Sequence, residues 1–245
     1  GGTITSQTAG TVTAGQIAIA GDVDAETGAL GNADALVGNG TFIATDGNVT
    51  VMANTIATDG VISAQSGNVA MFGDVAQSLG TVTAGQAVFA QMDTVLGADD
   101  GDTVTGQSIT LLGNDIALGA ASFVADQDVY IAGLMDADGN LTAAGTAQIA
   151  GQIIAQNGNV FMGLDQGTIS GAVDAQAGNV TVLGQDLVVD GTLNAAENTY
   201  VLGQNSAAVN GTLTAGKELG LFAKAVTNNG TLTAGQDVFL GGAIV

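Results

Sequence analysis

Several residue types are missing from this sequence, and each absence excludes a class of function. The 245 residues include no Cys, which removes disulfide frameworks, zinc–thiolate sites and thiol nucleophiles. They include no His either, which removes imidazole bases and histidine metal sites. The only basic residues are Lys217 and Lys224. Two cations cannot neutralise a phosphate backbone, so we expect no nucleic-acid partner.

The charge that is present has almost one sign. The chain has 23 acidic residues and a formal net charge of −21, yet 46% of its residues are hydrophobic. That content is sufficient for a buried core, unlike the composition of disordered chains. No apolar run approaches the roughly 20 residues of a membrane helix, so we expect no membrane insertion. The sequence begins at Gly1 without a signal peptide, which indicates a processed product or a piece of a longer array.

A short motif recurs along the whole chain. Its plainest copies are G-T-L-T-A-G at residues 211–216 and 230–235, and G-T-V-T-A-G at 10–15 and 80–85. Eight of the ten steps between the central apolar residues are 19 to 22 residues long, and the other two are 30. The central residues, used below as markers, are Val12, Phe42, Ile62, Val82, Val104, Phe123, Ile153, Val173, Leu193, Leu213 and Leu232.

A longer repeat contains these short ones. The two long steps are 111 residues apart, and a shift by this distance places Gly47-Asn48-Val49 on Gly158-Asn159-Val160 and Gly73 on Gly184. We interpret residues 1–245 as one domain with two 111-residue super-repeats, about 1–111 and 112–222, and a partial third, 223–245. Each long step predicts an enlarged turn, at about residues 24–37 and 135–148.

Each copy alternates in hydrophobicity as a strand does. In G-T-L-T-A the two Thr face one way and the Leu the other, and Val49 and Val51 share a face in the segment that follows such a copy. Gly-Asn or Gly-Gln lies between the two segments, where we expect a corner with unusual backbone angles. Short strands in coils of about 20 residues predict an all-β fold: a right-handed parallel β-helix (β-solenoid) of about eleven coils.

The most regular copies resemble a known family. Residues 228–240, N-N-G-T-L-T-A-G-Q-D-V-F-L, resemble the N-x-G-x-L-x-A-x-x-x-V-x-L repeats of filamentous haemagglutinin-like proteins, and residues 191–201 and 210–215 are similar. The resemblance implies a right-handed parallel β-helix, secretion to the surface of a diderm bacterium, and an adhesive or fibre-forming role. That family's secretion domain carries Asn-Pro-rich motifs, and this sequence has no Pro, so the domain is not part of it.

Carboxylates are the main candidates for chemistry. Two groups of oxygen ligands stand out: Asp99, Asp100 and Asp102 in one turn, and Asp136, Asp138 and Asn140 in the second enlarged turn. Because Ca²⁺ prefers several oxygen ligands, either group is a candidate for a weak Ca²⁺ site. Asp, Asn and Gly are also ordinary turn formers, so both interpretations stay open. We expect no other cofactor.

Two further functions fit the pattern less well. A glycosidase needs two carboxylates around a sugar, but no Arg, His or Trp is present to hold the sugar, so we expect no catalytic residues and no enzyme activity. Outward Thr pairs such as Thr81/Thr83 and Thr212/Thr214 resemble the flat arrays of ice-binding solenoids. Apolar and acidic residues interrupt that array, which makes ice binding a minor alternative.

The ends of the sequence lack the polar caps that usually protect the last coils of a solenoid. We therefore expect head-to-tail self-association, in a secreted, extracellular filament of the cell surface or matrix. The residues expected at this junction are Ile4 at one end and Val238, Leu240, Ile244 and Val245 at the other. In the alternative, the chain is a rigid shaft of a secreted bacterial adhesin. Its enlarged turns would then bind ligands on a host or neighbouring cell.

Overall fold

The computed structural model describes residues 3–6, 11–20, 33–96, 101–134 and 142–244. Every regular element in these ranges is a β-strand, and the strands are numbered β1 to β26 in chain order. They form two parallel sheets, one of 11 strands and one of 15. The predicted all-β solenoid of stacked, roughly 20-residue coils is therefore confirmed, while its right-handed winding stays a prediction.

The shorter sheet takes one strand of four residues from each coil. Its strands, in spatial order, are β2 (Thr11–Ala14), β5 (Thr41–Ala44), β7 (Val61–Ala64), β9 (Thr81–Ala84), β11 (Thr103–Gly106), β14 (Ser122–Ala125), β17 (Gln152–Ala155), β19 (Ala172–Ala175), β21 (Thr192–Ala195), β23 (Thr212–Ala215) and β25 (Thr231–Ala234).

All eleven markers of the short repeat lie in one register column of this sheet. Val12 pairs with Phe42, Phe42 with Ile62, and each later marker with the next, as far as Leu213 and Leu232. The two 30-residue steps keep this register as closely as the shorter steps do. The extra residues of each long step therefore leave the stack unbroken.

The longer sheet covers the rest of each coil. Its strands are β1 (Thr3–Ser6), β3 (Ile17–Ile19), β4 (Ala33–Gly38), β6 (Val49–Thr58), β8 (Val69–Ser78), β10 (Ala87–Leu96), β12 (Ser108–Leu112), β13 (Asp115–Leu118), β15 (Val129–Ala132), β16 (Ala144–Ile149), β18 (Val160–Ile169), β20 (Val180–Val189), β22 (Thr199–Val209), β24 (Leu219–Asn228) and β26 (Val238–Ile244).

The ten-residue strands of this sheet bend in the middle. In β20, Val180 and Val182 are buried in the first half, and Leu187 and Val189 are buried in the second, so the inward phase reverses between them. The bend lies at Gly184, where a Cβ atom would overlap the carbonyl oxygen of the coil below. Each long strand therefore supplies two sides of the coil, an N-terminal half and a C-terminal half.

Inward side chains from the three sides fill a continuous core. The cluster runs from Ile17 to Val226 and consists of Val, Ile, Leu, Met, Ala and one Phe. Stacked coils place like residues above one another, so the buried side chains form columns along the solenoid axis. No buried side-chain nitrogen or oxygen in the described ranges lacks a hydrogen-bond partner.

Strands in the two halves of the chain are spaced by the 111-residue repeat. β5, β6, β7 and β8 begin 111 residues before β17, β18, β19 and β20, and β4 begins 111 before β16. Both β4 and β16 overlap the C-terminal parts of the segments expected to be enlarged turns, at 24–37 and 135–148, and each strand extends one residue beyond its segment. These parts of the segments are strand because Leu36 and Ala147 face the core. Residues 24–32 and 135–141 lie outside the described residues.

The prediction of unusual backbone angles at the Gly-Asn corners is wrong. Gly67 and Gly178 precede such Asn residues, and neither has a positive φ, nor does any described non-glycine residue. A Cβ atom at either glycine would overlap the carbonyl oxygen of the equivalent glycine one coil below. Glycine is needed at these corners because the coils approach closely, not because the backbone turns left-handed.

Candidate functional site at the solenoid edges

At the two ends of the described stack, strands are paired on one side only. β25 pairs only with β23 and β26 only with β24, and we call these two strands the C-terminal edge. β2 pairs only with β5 and β3 only with β6, and we call these two the N-terminal edge. Each edge therefore presents backbone donors and acceptors to which another strand can add.

Apolar side chains are exposed at both edges. Val238, Phe239 and Leu240 are 45%, 44% and 41% exposed, and Val12 is 49% exposed. Among the described residues, Val37 and Phe222 are the other large apolar side chains with comparable exposure. Val238 and Leu240 were both expected at this edge from the sequence. Phe239 lies between them in the outward column of Tyr200 and Gly220, so it is exposed on the side of the coil.

The remaining expected junction residues lie along the same ends. Ile4 belongs to β1 and pairs with Leu36, and Ile244 belongs to β26 and pairs with Val226. Following the pairing from coil to coil, Ile4 and Ile244 stand at the two ends of a single register column. Val245 lies outside the described residues.

Acidic side chains along the stack are paired with amides of the next coil. A carboxylate directly above another would be repelled by it, whereas an amide donates a hydrogen bond to it. The amide-to-carboxylate contacts between coils include Asn114–Asp93 at 2.6 Å, Asn157–Asp126 at 2.7 Å, Asn194–Asp174 at 2.7 Å, Asn210–Asp190 at 2.8 Å and Asn159–Asp128 at 3.1 Å. Lys217 adds an exposed salt bridge to Glu197 at 2.7 Å. Stacking thus continues despite the large net charge.

An asparagine ladder joins the corners that precede the long strands. The Oδ1 atom of Asn159 accepts hydrogen bonds from the backbone N–H and the Nδ2 of Asn179, both at 2.9 Å. Asn179 accepts the same pair from Asn198, at 3.1 and 2.8 Å. Asn198 in turn accepts from the backbone N–H of Glu218 at 3.1 Å. The recurring Gly-Asn dipeptide is the sequence signal for this ladder. The prediction made from that dipeptide concerned only the backbone angles of the corner.

Asp102, one of the expected Ca²⁺ ligands, is a buried turn residue. It is only 6% exposed, and its two carboxylate oxygens accept hydrogen bonds from the backbone N–H groups of Leu79 and Gly80, each at 2.9 Å. The Ser78 hydroxyl donates a third, longer bond at 3.3 Å. The carboxylate therefore fixes the turn of the coil below, in which Gly80 has a φ of +58°.

The other expected Ca²⁺ ligands are Asp99, Asp100, Asp136, Asp138 and Asn140, and all five lie outside the described residues. Within the described ranges no group of three or more acidic side chains converges as a metal site would. A Ca²⁺ site at either position stays a prediction from the sequence.

The Thr array expected for ice binding is mixed in the structure. In the outward column that contains Thr83 and Thr105, their hydroxyls are joined by a hydrogen bond at 3.2 Å. Three coils further along, the same column holds Asp174. A flat array of one residue type is therefore not formed along the whole sheet.

Tyr200 makes a side-chain contact with the next coil. Its hydroxyl donates a hydrogen bond to the Glu218 carboxylate at 3.0 Å. This bond, with a smaller contribution from burial, raises the pKa of Tyr200 above its usual value, because ionisation would place a phenolate against a carboxylate. Glu218 continues the column of the asparagine ladder, so the phenol ties two coils together.

Comparisons with protein-family models, curated proteins and solved structures found no match to this chain. No helix in the described ranges is long and apolar enough to cross a membrane. The stacked parallel coils define the chain as a β-solenoid, consistent with β-helix repeat proteins. A structural or adhesin-like role is compatible with this fold.

Proposed function

We propose that this chain is an architectural protein, a rigid acidic β-solenoid that stacks end to end in an extracellular filament of the cell surface or matrix. The observation that carries the proposal is the pair of open edges, where columns of the core end in exposed apolar side chains. An uncovered strand edge of this kind is a template for further strand addition. A heterologous contact between two different ends does not close on itself and makes a fibre.

The two edges match in sequence and register. β25 reads T-L-T-A and β2 reads T-V-T-A, so stacking one on the other places Val12 above Leu232 and extends the marker column by one step. In the same arrangement β3 lies on β26. Ile17 then covers Val238, because both belong to the column of residues that open the long strands.

The arrangement has one further requirement, at β1. This strand lies one coil beyond β2, so stacking β2 on β25 brings β1 to the place that the end of β26 occupies. Ile4 and Ile244 share a column, and Ile4 of the second copy would take the position of Ile244. The junction therefore involves exchange of a short strand as well as simple stacking.

The charge of the rod favours this axial mode over lateral clumping. Two rods side by side bring large charges of one sign together over their whole length, whereas end contacts bury apolar residues and pair backbone groups. Added salt screens the repulsion at the ends. We therefore expect assembly to increase with ionic strength.

Sedimentation velocity of the 245-residue chain and two variants tests the proposal. Val238→Asp places a charge on the C-terminal edge and should leave only monomer. Asn205→Asp adds the same charge on an exposed side position, away from both edges, and should assemble as the parent does. The stacking would be refuted if Val238→Asp assembled to the same extent as the parent. It would also be refuted if the parent failed to assemble at every salt concentration.

A second candidate is the rigid shaft of a secreted adhesin that binds host or neighbouring-cell ligands. The observation in its favour is a groove on the outer side of the solenoid, lined in part by Thr142 and Ala143. Both fall within the segment 135–148 that the sequence assigns to the second enlarged turn. Surface binding that survives in monomeric Val238→Asp would favour the adhesin, and binding lost with assembly would favour the filament.

A further inference from the structure

The outer-side groove exists because two adjacent coils lack large outward side chains. In the column concerned, Leu112 pairs with Ala132 of the next coil. Gly163, two coils away from Leu112, pairs with Leu183 of the coil after it. Ala132 and Gly163 are neighbours, since a Cβ atom on Gly163 would lie 3.8 Å from the Cβ of Ala132. The two small residues line a depression of about 240 Å³, which Leu183 also borders.

Aromatic rings form one wall of the groove. Tyr130 and Phe161 lie in adjacent coils with their ring centroids 4.7 Å apart and their planes within 12° of parallel. Leu183 adds an apolar side chain to the lining beside these rings. Such a wall suits the aliphatic stem of a long side chain or the face of a planar group.

Polar and acidic residues line the groove as well. They include Asp165, Gln185 and Gln204. No side chain in the described part of the protein donates a hydrogen bond or an ion pair to Asp165, and no basic residue lines the groove. The whole chain adds a strongly negative field. An anionic ligand would be repelled, and a cation would be attracted.

We propose that this groove binds the guanidinium group of an arginine side chain on a basic partner polypeptide. Guanidinium is planar and weakly hydrated, it stacks on aromatic rings, and it pairs with a carboxylate through two parallel hydrogen bonds. Asp165 accepts those bonds, the Gln185 and Gln204 amide oxygens accept others, and the Tyr130–Phe161 wall packs against the stem and plane of the side chain. This binding is independent of end-to-end stacking, because the groove lies on the side of the rod.

The test is an NMR titration of the monomeric Val238→Asp chain with Nα-acetyl-arginine-amide, following the Leu183 methyl groups. The neutral citrulline analogue has nearly the same shape without the charge, the corresponding lysine derivative has the charge without the planar fork, and glucose tests a sugar occupant. We expect saturable binding of the arginine derivative, binding of the lysine derivative that is at least about fivefold weaker, and no binding of citrulline or glucose.

Two variants and a control locate the binding. Gly163→Leu introduces the residue that the next coil carries in the same column, where only ordinary contacts await a Cβ atom, and it should abolish binding by filling the groove. Asp165→Asn should weaken binding about fivefold through loss of an ion pair. Asp34→Asn removes an equal charge from an exposed position in β4, several strands away, and should bind as the parent does.

The proposal is overturned by any of four results. The first three are no saturable binding of the arginine derivative, equal binding of citrulline, lysine or glucose, and unchanged affinity in both Gly163→Leu and Asp165→Asn. A drop in Asp34→Asn as large as that in Asp165→Asn would also overturn it, because it would assign the binding to diffuse charge.

Discussion

Two neighbouring coils at the C-terminal end share their first six residues but have different environments. The coil of β23 and β24 and the coil of β25 and β26 both begin with G-T-L-T-A-G. In the first, Leu213, Leu219 and Leu221 are fully buried. In the second, Leu232 is half-buried, and Val238 and Leu240 are exposed. The difference comes from the second neighbour that the interior coil has and the edge coil lacks.

Burial in this fold is therefore a property of the stack rather than of the single coil. An isolated coil cannot enclose its own apolar residues, and each interior coil is completed from both sides. In a coil with two neighbours, the apolar residues stabilise the interior. In a coil with one neighbour, the equivalent residues form an exposed surface to which another coil can bind. That equivalence is the basis of the proposed end-to-end assembly.

The largest expected difference between the two coils is in the cost of cavities. Leu213→Ala should lower the free energy of unfolding by about 2–5 kcal/mol, because it opens a cavity between two packed coils. Leu232→Ala removes the same atoms at the edge and should cost less than about 1 kcal/mol under monomeric conditions. Urea denaturation of both variants measures the difference. Equal losses would show that the edge coil is covered as fully as the interior one.

The next effect concerns the interior turn held by Asp102. Asp102→Asn presents an amide N–H to one of the backbone N–H groups of Leu79 and Gly80, which should cost about 2–3 kcal/mol. The exposed Asp126 also accepts one amide bond, and Asp126→Asn should cost less than about 1 kcal/mol. Denaturation midpoints compare the two. A similar small cost for both would mean that the carboxylate of Asp102 is not needed for the turn.

A smaller effect separates interior and edge positions of the corner ladder. Asn179→Ala removes an acceptor of two hydrogen bonds from Asn198 and should cost about 1 kcal/mol. Asp237 occupies the edge position of the same column, and Asp237→Ala should change stability by less than about 0.5 kcal/mol. Hydrogen exchange of the Asn198 amide should accelerate in the first variant alone. An unchanged exchange rate of the Asn198 amide in Asn179→Ala would contradict a stabilising role for the ladder.

The smallest effect is a pH dependence at the contact between Tyr200 and Glu218. Since the pKa of Tyr200 is raised in the folded chain, its contribution to stability is complete below the ordinary phenol pKa and is lost as the pH rises through the folded value. Tyr200→Phe should therefore reduce the loss of stability seen at alkaline pH. The difference in phenolate absorbance between the parent chain and this variant reports the ionisation of Tyr200. When the pH is raised, this difference should have its midpoint above pH 10. A midpoint at or below 10 would contradict the hydrogen bond.

The sequence predicted the stack well because its signal was periodic. Every marker from Val12 to Leu232 lies in one column, and the 30-residue steps keep register as the shorter ones do. The alternation of apolar and polar residues depends only on which face of a strand points inward, and this is local information. The exposed edge residues Val238 and Leu240 followed from the same alternation.

Features that depend on contact between coils were not predictable in the same way. The bend at Gly184 and the close corner at Gly178 arise from carbonyl oxygens about twenty residues away in the chain. Asp102 looked like one of three clustered ligands, yet its partners lie in the preceding coil. The groove beside Gly163 follows from small residues in adjacent coils, a coincidence that no single repeat reveals.

Electron microscopy of the purified chain, at low and high salt and with Ca²⁺ or a chelator, would show directly whether the solenoids stack end to end. Eleven coils at the usual strand spacing make a rod roughly 50 Å long. End-to-end stacking predicts filaments many times that length, one solenoid wide, with a continuous axial spacing of about 4.8 Å across the junctions. Single rods of roughly 50 Å at every concentration and salt condition would contradict end-to-end stacking.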